Sequence, residues 1–363
     1  MPRFTPRVAR AVPALPALGL VLLFLSTTAR AQLKGAELLS GSRPSRAAMS
    51  TPSPATHPSP APIQIKVGTF LGWERSLRIS NGEVEALVIP AIGRVMHFGF
   101  AGEASPFWDD PTLRGRAADS SSAEWINFGG DKSWPAPQAG WPKVTPRSWP
   151  PPVAFDSLPV EATVRRDTLV LTSAVDPHYG IRCERVLRLE PGQPRMTIQT
   201  TYEKVEGPDL EVGIWIITQL TDPVLVAIPI PANTRFPTGY NSQSEDLLPL
   251  GLSLDRGMLS LRRDPVHATK IGTDADRLLW VGERQMLLIE SPRVPGGRYP
   301  DQESSAEVYT NPDPKTYVEL EMLGPLRALS VGSRISQTNT YTLLRRATPD
   351  PVADARRVLQ LPR

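Results

Sequence analysis

Short runs in which apolar and polar residues alternate follow one another from Ile65 to Arg346. A period of two residues is typical of β-strands with one buried face. Asn81-Gly82 and Arg166-Asp167 each separate two such runs, which predicts two hairpins. More than a dozen runs without an internal repeat or a mid-chain linker favour an all-β fold, a single large β-sandwich, over a propeller or two small domains.

The N-terminus has the layout of a secretory signal peptide. Arginines precede an apolar run at 11–25, and Ala29 and Ala31 stand at small-residue cleavage positions. Residues 1–31 therefore predict a signal peptide, with an uncleaved anchor as the alternative. Residues 32–64, rich in Pro, Ser, Thr and Ala, predict a disordered linker. We expect an exported protein, periplasmic or secreted, that is not held at a membrane after cleavage.

The domain is then expected at 65–346, followed by a tail at 347–363 that contains one short helix. The chain has a net charge of +3, but the predicted signal peptide carries four arginines. The mature protein is therefore nearly neutral and has no basic tract, so nucleic acid is not an expected partner. The single cysteine, Cys183, excludes an internal disulfide and is expected to be buried and structural rather than catalytic.

No sequence motif indicates a cofactor or a metal. Phosphate loops, dinucleotide fingerprints, zinc-protease motifs and nucleophile elbows are missing from the sequence. The histidines, which have no zinc-ligand spacing, are His57, His97, His178 and His267. The acidic residues suited to bind calcium are Asp109, Asp110, Asp301 and Glu303. The favoured alternative is that they lie in solvated loops.

The stretch NFGGDKSWPAPQAGWP, residues 127–142, contains three glycines, three prolines and two tryptophans. Proline removes backbone donors and glycine raises the entropic cost of order, so we expect a loop rather than a helix or a central strand. Five of the eight tryptophans lie in or near it: Trp108, Trp125, Trp134, Trp141 and Trp149.

Tryptophans among polar side chains suit a sugar site, because an indole stacks on the apolar face of a sugar while polar groups bind its hydroxyls. Gly129 and Gly130 would let the backbone turn sharply or approach a ligand. The alternative is a structural loop with Asp131 and Lys132 as a local ion pair. The predicted substrate contacts in this region are Trp108, Asn127, Asp131, Lys132, Trp134 and Gln138.

Several strings resemble a known family. NFGGDKSWPAPQ, SWPPPVAFD, KIGTD, YPDQESSAEVYTN and YVELEMLGPL look like an uncharacterised bacterial domain family. That family is grouped with the galactose mutarotase-like (aldose epimerase) superfamily. The resemblance covers about residues 73–344. It implies a β-supersandwich with a carbohydrate site on the concave face of its larger sheet.

The resemblance also implies acid–base chemistry. In that superfamily a glutamate in a late strand acts as base and histidines act as acid and anchor. The late-strand candidate here is Glu307, which shares a strand face with Tyr309 and Asn311. The other candidates for the base are Glu319 and Glu321. The alternative is that these two residues form a polar row that points outward from the sheet.

His97 is the candidate acid or hydroxyl anchor. We expect it on one strand face with Val95 and Gly99, with Met96, Phe98 and Phe100 on the other. A satisfied buried histidine is the alternative. Lys270, in the KIGTD string, joins Glu321, Tyr309 and Asn311 as predicted substrate contacts.

The sequence therefore predicts an exported protein that binds a sugar or oligosaccharide. If the protein is an enzyme, the expected activity is that of a mutarotase-type isomerase with Glu307 and His97 as catalytic residues. The alternatives are a non-catalytic glycan-binding module and a structural envelope protein.

Overall fold

The computed structural model describes residues 61–119, 124–244 and 247–362. The predicted signal peptide and residues 32–60 of the predicted linker lie outside these ranges. Within them, no helix is long and apolar enough to cross a membrane.

The described residues form 21 strands. The first eleven are β1 (Gln64–Phe70), β2 (Trp73–Ser80), β3 (Val84–Ile89), β4 (Arg94–Phe100), β5 (Asp131–Ala136), β6 (Glu161–Arg165), β7 (Thr168–Val175), β8 (Ile181–Leu189), β9 (Arg195–Lys204), β10 (Leu210–Thr221) and β11 (Leu225–Pro229). The others are β12 (Asn241–Ser242), β13 (Leu250–Asp255), β14 (Met258–Arg262), β15 (Thr269–Thr273), β16 (Arg277–Val281), β17 (Gln285–Glu290), β18 (Ala306–Thr310), β19 (Tyr317–Leu323), β20 (Arg327–Leu329) and β21 (Arg334–Arg345).

These strands form two large antiparallel sheets, so the predicted all-β sandwich is confirmed. The larger sheet has the order β1-β2-β3-β4-β5-β10-β19-β18-β15-β12, with β20 also paired to β10. The smaller sheet has the order β13-β14-β11-β16-β17-β21-β9-β8-β7-β6. Both predicted hairpins are confirmed, because β2 pairs with β3 across Asn81-Gly82 and β6 pairs with β7 across Arg166-Asp167.

The main core lies between the sheets and is built by alternation. In β19, Val318, Leu320 and Met322 belong to this core, so the residues between them point to the outer face of the larger sheet. Cys183 is buried, and burial raises the pKa of its thiol to about 12. A thiol that stays protonated is a poor nucleophile, which fits a structural cysteine.

The helices of the described residues are short. They are α1 (Trp141–Val144), α2 (Val153–Asp156), α3 (Pro300–Glu303) and α4 (Pro351–Leu359). Helix α4 lies in the tail, begins at the cap residue Asp350 and buries Ala355 and Leu359 in a small cluster with Val281. Three further single turns of 3-10 helix are Pro90–Ile92, Pro111–Leu113 and Gln138–Gly140.

The loop predicted at 127–142 is wrong for residues 131–136, which form the central strand β5. Pro135 lies opposite Ile214 of β10. Because the Ile214 carbonyl accepts from the Gly324 backbone N–H on the other side of β10, the Pro135 nitrogen faces away from β10. On that side β5 pairs with β4 only at Asp131. The missing proline donor therefore breaks no ladder hydrogen bond.

Two glycines precede β5 where backbones meet closely. Gly129 and Gly130 have φ values of 91° and 70°. A Cβ atom would stand 2.2 Å from the Trp108 carbonyl oxygen at Gly129 and 2.6 Å from the Val95 carbonyl oxygen at Gly130. Both glycines are therefore needed for close approach to backbone, rather than to a ligand.

Asp131 joins the two sheets. It is fully buried, and its carboxylate pairs with Arg185 of β8 in the smaller sheet. The Tyr341 hydroxyl of β21 donates to it over 2.6 Å, and the Thr218 hydroxyl of β10 over 2.7 Å. The alternative of a local ion pair between Asp131 and Lys132 is wrong, because adjacent strand residues point to opposite faces. Asp131 therefore lies inside the sandwich and not in a surface site.

We predict that Asp131→Ala lowers the free energy of unfolding by about 3–5 kcal/mol, because it leaves a buried guanidinium without its partner. Asp131→Asn retains hydrogen-bonding oxygen and is expected to lose less. Urea unfolding measures both. The exposed pair of Glu103 with Arg345 supplies the control, and Glu103→Ala should change stability little. A loss below about 1 kcal/mol for Asp131→Ala, as for an exposed pair, would contradict this role.

Candidate functional site

A cleft of about 320 Å³ lies on the outer face of the larger sheet. Its volume falls within the range of small-molecule sites. Its aromatic wall consists of Trp125, Trp134, Trp149, Trp215, Tyr309 and Tyr317. Its polar side chains are Gln138, Lys270, Asn311, Glu319 and Glu321. An apolar wall with a few polar groups is the usual composition of a ligand site.

Strand register brings these residues together. Trp134 of β5 lies opposite Trp215 of β10, and Glu319 of β19 lies opposite Tyr309 of β18. Lys270 of β15 lies opposite the same tyrosine. Residues opposite one another on antiparallel strands share a face, so five neighbouring strands build one floor.

Trp134 is the centre of a tryptophan cluster. It makes edge-to-face contacts with Trp125, Trp149 and Trp215, with ring centroids 5.3–5.9 Å apart. Its indole N–H donates to Asp156 over 3.0 Å. The same carboxylate accepts from Trp125 over 3.2 Å. The buried Trp134 therefore supports the cleft from below.

Trp149 is the exposed member of the cluster. It keeps 43% of its surface exposed. It stacks on the fully buried Trp141, with ring centroids 6.2 Å apart and an angle of 15° between the planes. The buried ring holds the exposed one in place. Trp149 is therefore a fixed apolar platform at the cleft.

Lys270 is held by two carboxylates. Its Nζ lies 2.7 Å from Glu307 Oε2 and 2.8 Å from Glu321 Oε2, and 4.6 Å from the ring centroid of Trp215. Glu307 lies beneath the cleft, fully buried, and accepts from Gln243 over 2.6 Å. Burial raises the pKa of Glu307 to about 8, with Lys270 acting against that rise. Glu307 is therefore placed to fix Lys270.

Lys132 forms a second charged layer beneath the cleft. Its Nζ has no hydrogen-bond partner in the described residues. It lies 3.7 Å from Glu319 Oε1 and 5.0 Å from the ring centroid of Trp134. Burial lowers the pKa of Lys132 to about 8, and burial raises the pKa of Glu319. Glu319 also accepts from Gln219 over 2.8 Å.

The segment that begins at Asp301, whose carboxyl interacts electrostatically with Lys270 and Glu321, has an unusual backbone. Asp301, Gln302 and Glu303 have φ values of 48°, 61° and 73°. Consecutive left-handed residues other than glycine are strained, and such strain is found at functional sites. Burial raises the pKa of the Asp301 carboxyl, and the charges of Lys270 and Glu321 also act on it.

The structure brings most of the predicted substrate contacts together. Those that line the cleft are Trp134, Gln138, Lys270, Tyr309, Asn311 and Glu321. Lys132 and Glu307 lie directly beneath it. Trp108 packs behind Tyr317, with ring centroids 4.6 Å apart. Asn127 accepts from the backbone N–H of Gly129 and so shapes the entry to β5.

His97 does not line the cleft. A bulge between β3 and β4 shifts the register after Leu87. Val95 therefore joins Phe98 in the core between the sheets, and the predicted face that combined His97 with Val95 is wrong. Burial lowers the pKa of His97, whose Nε2 lies 3.9 Å from Glu85 Oε1.

Three of the four carboxylates considered for calcium have protein partners. Asp109 pairs with Arg114 over 2.6 Å, and Asp110 pairs with Lys315 over 3.1 Å. Glu303 lies 3.0 Å from Arg235. Within the described ranges, no group of three or more His, Cys, Asp or Glu side chains has the geometry of a metal site.

The sequence did not identify Trp215, Tyr317 or Gln219 as site residues. The available signal was alternation: Trp215 and Gln219 stand four residues apart in β10, on the face that Glu319 and Glu321 occupy in β19. Without the pairing of β10 with β5 and β19, that face could not be assigned to a cleft.

Solved structures share this architecture. The Slr1438 protein from Synechocystis sp. PCC 6803 is 12% identical, with a TM-score of 0.51, covering 75% of this chain and 96% of that one. A putative aldose 1-epimerase from Klebsiella pneumoniae subsp. pneumoniae MGH 78578 is 13% identical, with a TM-score of 0.51, covering 82% and 87%. A galactose mutarotase-like protein from Lactobacillus casei ATCC 334 is 9% identical, with a TM-score of 0.49, covering 74% and 100%.

The chain therefore has the same β-sandwich fold as the Slr1438 protein and the putative aldose 1-epimerase, the single large sandwich that the sequence predicted. Residues 75–344 match the family described as a domain of unknown function, DUF4380. Because this match spans most of the chain, the protein belongs to that family. No curated protein sequence matches the chain.

Proposed function

We propose that this protein binds a carbohydrate in the cleft on the outer face of the larger sheet. The observation that carries the proposal is the exposed indole of Trp149, held by stacking on buried Trp141 beside a row of carboxylates. The apolar C–H face of a sugar stacks on such a ring, while polar neighbours bind the hydroxyls.

Unpartnered polar atoms beneath the cleft support the proposal. Glu321 Oε1, Gln219 Oε1 and Lys132 Nζ are buried and have no hydrogen-bond partner in the described residues. Buried polar groups normally have partners. A ligand rich in hydroxyl groups, which both donate and accept, suits a set that contains two acceptors and one donor, reached directly or through bridging water.

The fold is compatible with this ligand class, since one similar structure carries the name putative aldose 1-epimerase. We also propose export, to the periplasm or the medium. The arginines, apolar run and small residues of segment 1–31 support it.

We predict that Trp149→Ala weakens sugar binding by about tenfold or more, equivalent to at least about 1.4 kcal/mol, because it removes the stacking platform. Trp149→Phe should restore part of the affinity. Calorimetry and tryptophan fluorescence with a panel of mono- and oligosaccharides measure the change. Leu254→Ala is the control, since Leu254 is similarly exposed but lies in β13 of the other sheet. If the two alanine variants bind the sugar with equal affinity, Trp149 is not the stacking platform.

A second candidate function is anomer interconversion of the bound sugar. The observation that favours it is the raised pKa of Glu319, caused by burial, on a side chain that lines the cleft. A carboxylate with a raised pKa is a stronger base than an ordinary one, which suits a general base. Glu319 would take the proton of the anomeric hydroxyl while the ring oxygen is protonated from solvent, which opens the ring. The reverse steps close it on either face.

We predict that the protein accelerates exchange between α and β anomers in proton exchange NMR, and that Glu319→Gln abolishes the acceleration. Glu290→Gln, in β17 of the other sheet, is the matched control and should leave it unchanged. An acceleration that survives Glu319→Gln would exclude Glu319 as the base. If the wild-type protein gives no acceleration but binds the sugar, the function is binding alone.

A further inference from the structure

We propose that the cleft selects a sugar that carries a protonated amino group over the corresponding neutral sugar. This inference rests on the proposed carbohydrate function and narrows its ligand class. It follows from the charges that converge on the floor of the cleft and from the aromatic rings around them.

Carboxylates outnumber cations at this floor. Among the residues that the structure describes, the side chains that form ion pairs with Glu307, Glu319 and Glu321 are Lys132 and Lys270. Lys270 divides its contacts between Glu307 and Glu321. Lys132 is 3.7 Å from Glu319, too far for a hydrogen bond. The floor therefore carries at least one negative charge more than it can neutralise when all groups are ionised.

Neighbouring charges do not remove the excess. Asp301, in the strained segment 301–303, adds a further carboxylate that interacts with Lys270 and Glu321. The buried arginines close to β5 are already paired, Arg94 with Asp156 and Arg185 with Asp131. An uncompensated buried carboxylate either takes up a proton or attracts a cation. Burial raises the pKa of Glu307, Glu319 and Asp301, in accord with this excess.

Two of these carboxylates reach the ligand side. Glu319 and Glu321 both line the cleft, and Glu321 Oε1 is buried without a hydrogen-bond partner in the part of the chain that the structure describes. An ammonium group can give this oxygen the donor that it requires. A sugar hydroxyl can also donate, but it leaves the net charge of the floor uncompensated.

The rings around these carboxylates favour a cation. Tyr309 lies directly across the strand pair from Glu319, and Tyr317 lies two residues before Glu319 on the same face of β19. Aromatic faces attract ammonium groups, and Trp134 and Trp215 already hold Lys132 and Lys270 in this way. A uronic acid, in contrast, would bring a second negative group to the same carboxylates.

The test compares matched probes by calorimetry at neutral pH, where most of the sugar amine is protonated and the carboxylates of the cleft floor are more ionised than at acidic pH. The pairs are glucosamine with glucose and galactosamine with galactose. N-acetylglucosamine keeps the nitrogen without the charge, and glucuronate carries the opposite charge. At least one amino sugar should bind about tenfold more tightly than its neutral partner, a factor expected for an ammonium group on aromatic rings and carboxylates. Glucuronate should bind most weakly.

Glu319→Gln removes one charge and keeps the shape of the side chain. It should bring the affinity ratio of amino sugar to neutral sugar toward one, whereas Glu290→Gln should retain the wild-type ratio. Equal affinity of both sugars for the wild-type protein would overturn this inference and leave the proposed function in place. Failure of every sugar, neutral or charged, to bind would overturn both.

Discussion

The carboxylate of Asp131 connects the two sheets, and the cleft depends on that connection. It stands in the central strand of the larger sheet and binds Arg185 and Tyr341 of the smaller one. Two residues later, Ser133 makes a hydrogen bond of 2.7 Å with the hydroxyl of Tyr202, also in the smaller sheet. These contacts fix the height and rotation of β5 in the sandwich. A strand fixed on its inner face presents its outer face in one position only.

The alternation of β5 then builds the site. Between the inward Asp131 and Ser133 lies Lys132, and after them Trp134, both pointing outward into the charged and aromatic floor. The GGDKSW string is therefore one structural unit with two functions. Asp131 and Ser133 hold the sheets together, and Lys132 and Trp134 support the cleft. The glycines before it permit the close approach of backbone that places β5 in the sheet.

The sequence predicted the sandwich, both hairpins and the shared face of Glu307 and Tyr309, because these depend on local alternation and turn residues. It did not predict β5, since proline and glycine argue against a strand unless one side of that strand is nearly unpaired. The face of His97 was misassigned because a bulge changes the alternation and leaves no mark in the sequence. The meeting of Trp134 with Trp215 depends on pairing between strands distant in sequence, which no local pattern encodes.

We propose that the outer face of the larger sheet binds a sugar. A crystal structure of the protein with the tightest-binding sugar tests it most directly. We expect electron density for the sugar ring against the exposed face of Trp149, with polar groups of the sugar within hydrogen-bond distance of Glu319 or Glu321. Density for the sugar anywhere else on the molecule, with the cleft empty in the same crystal, would contradict it.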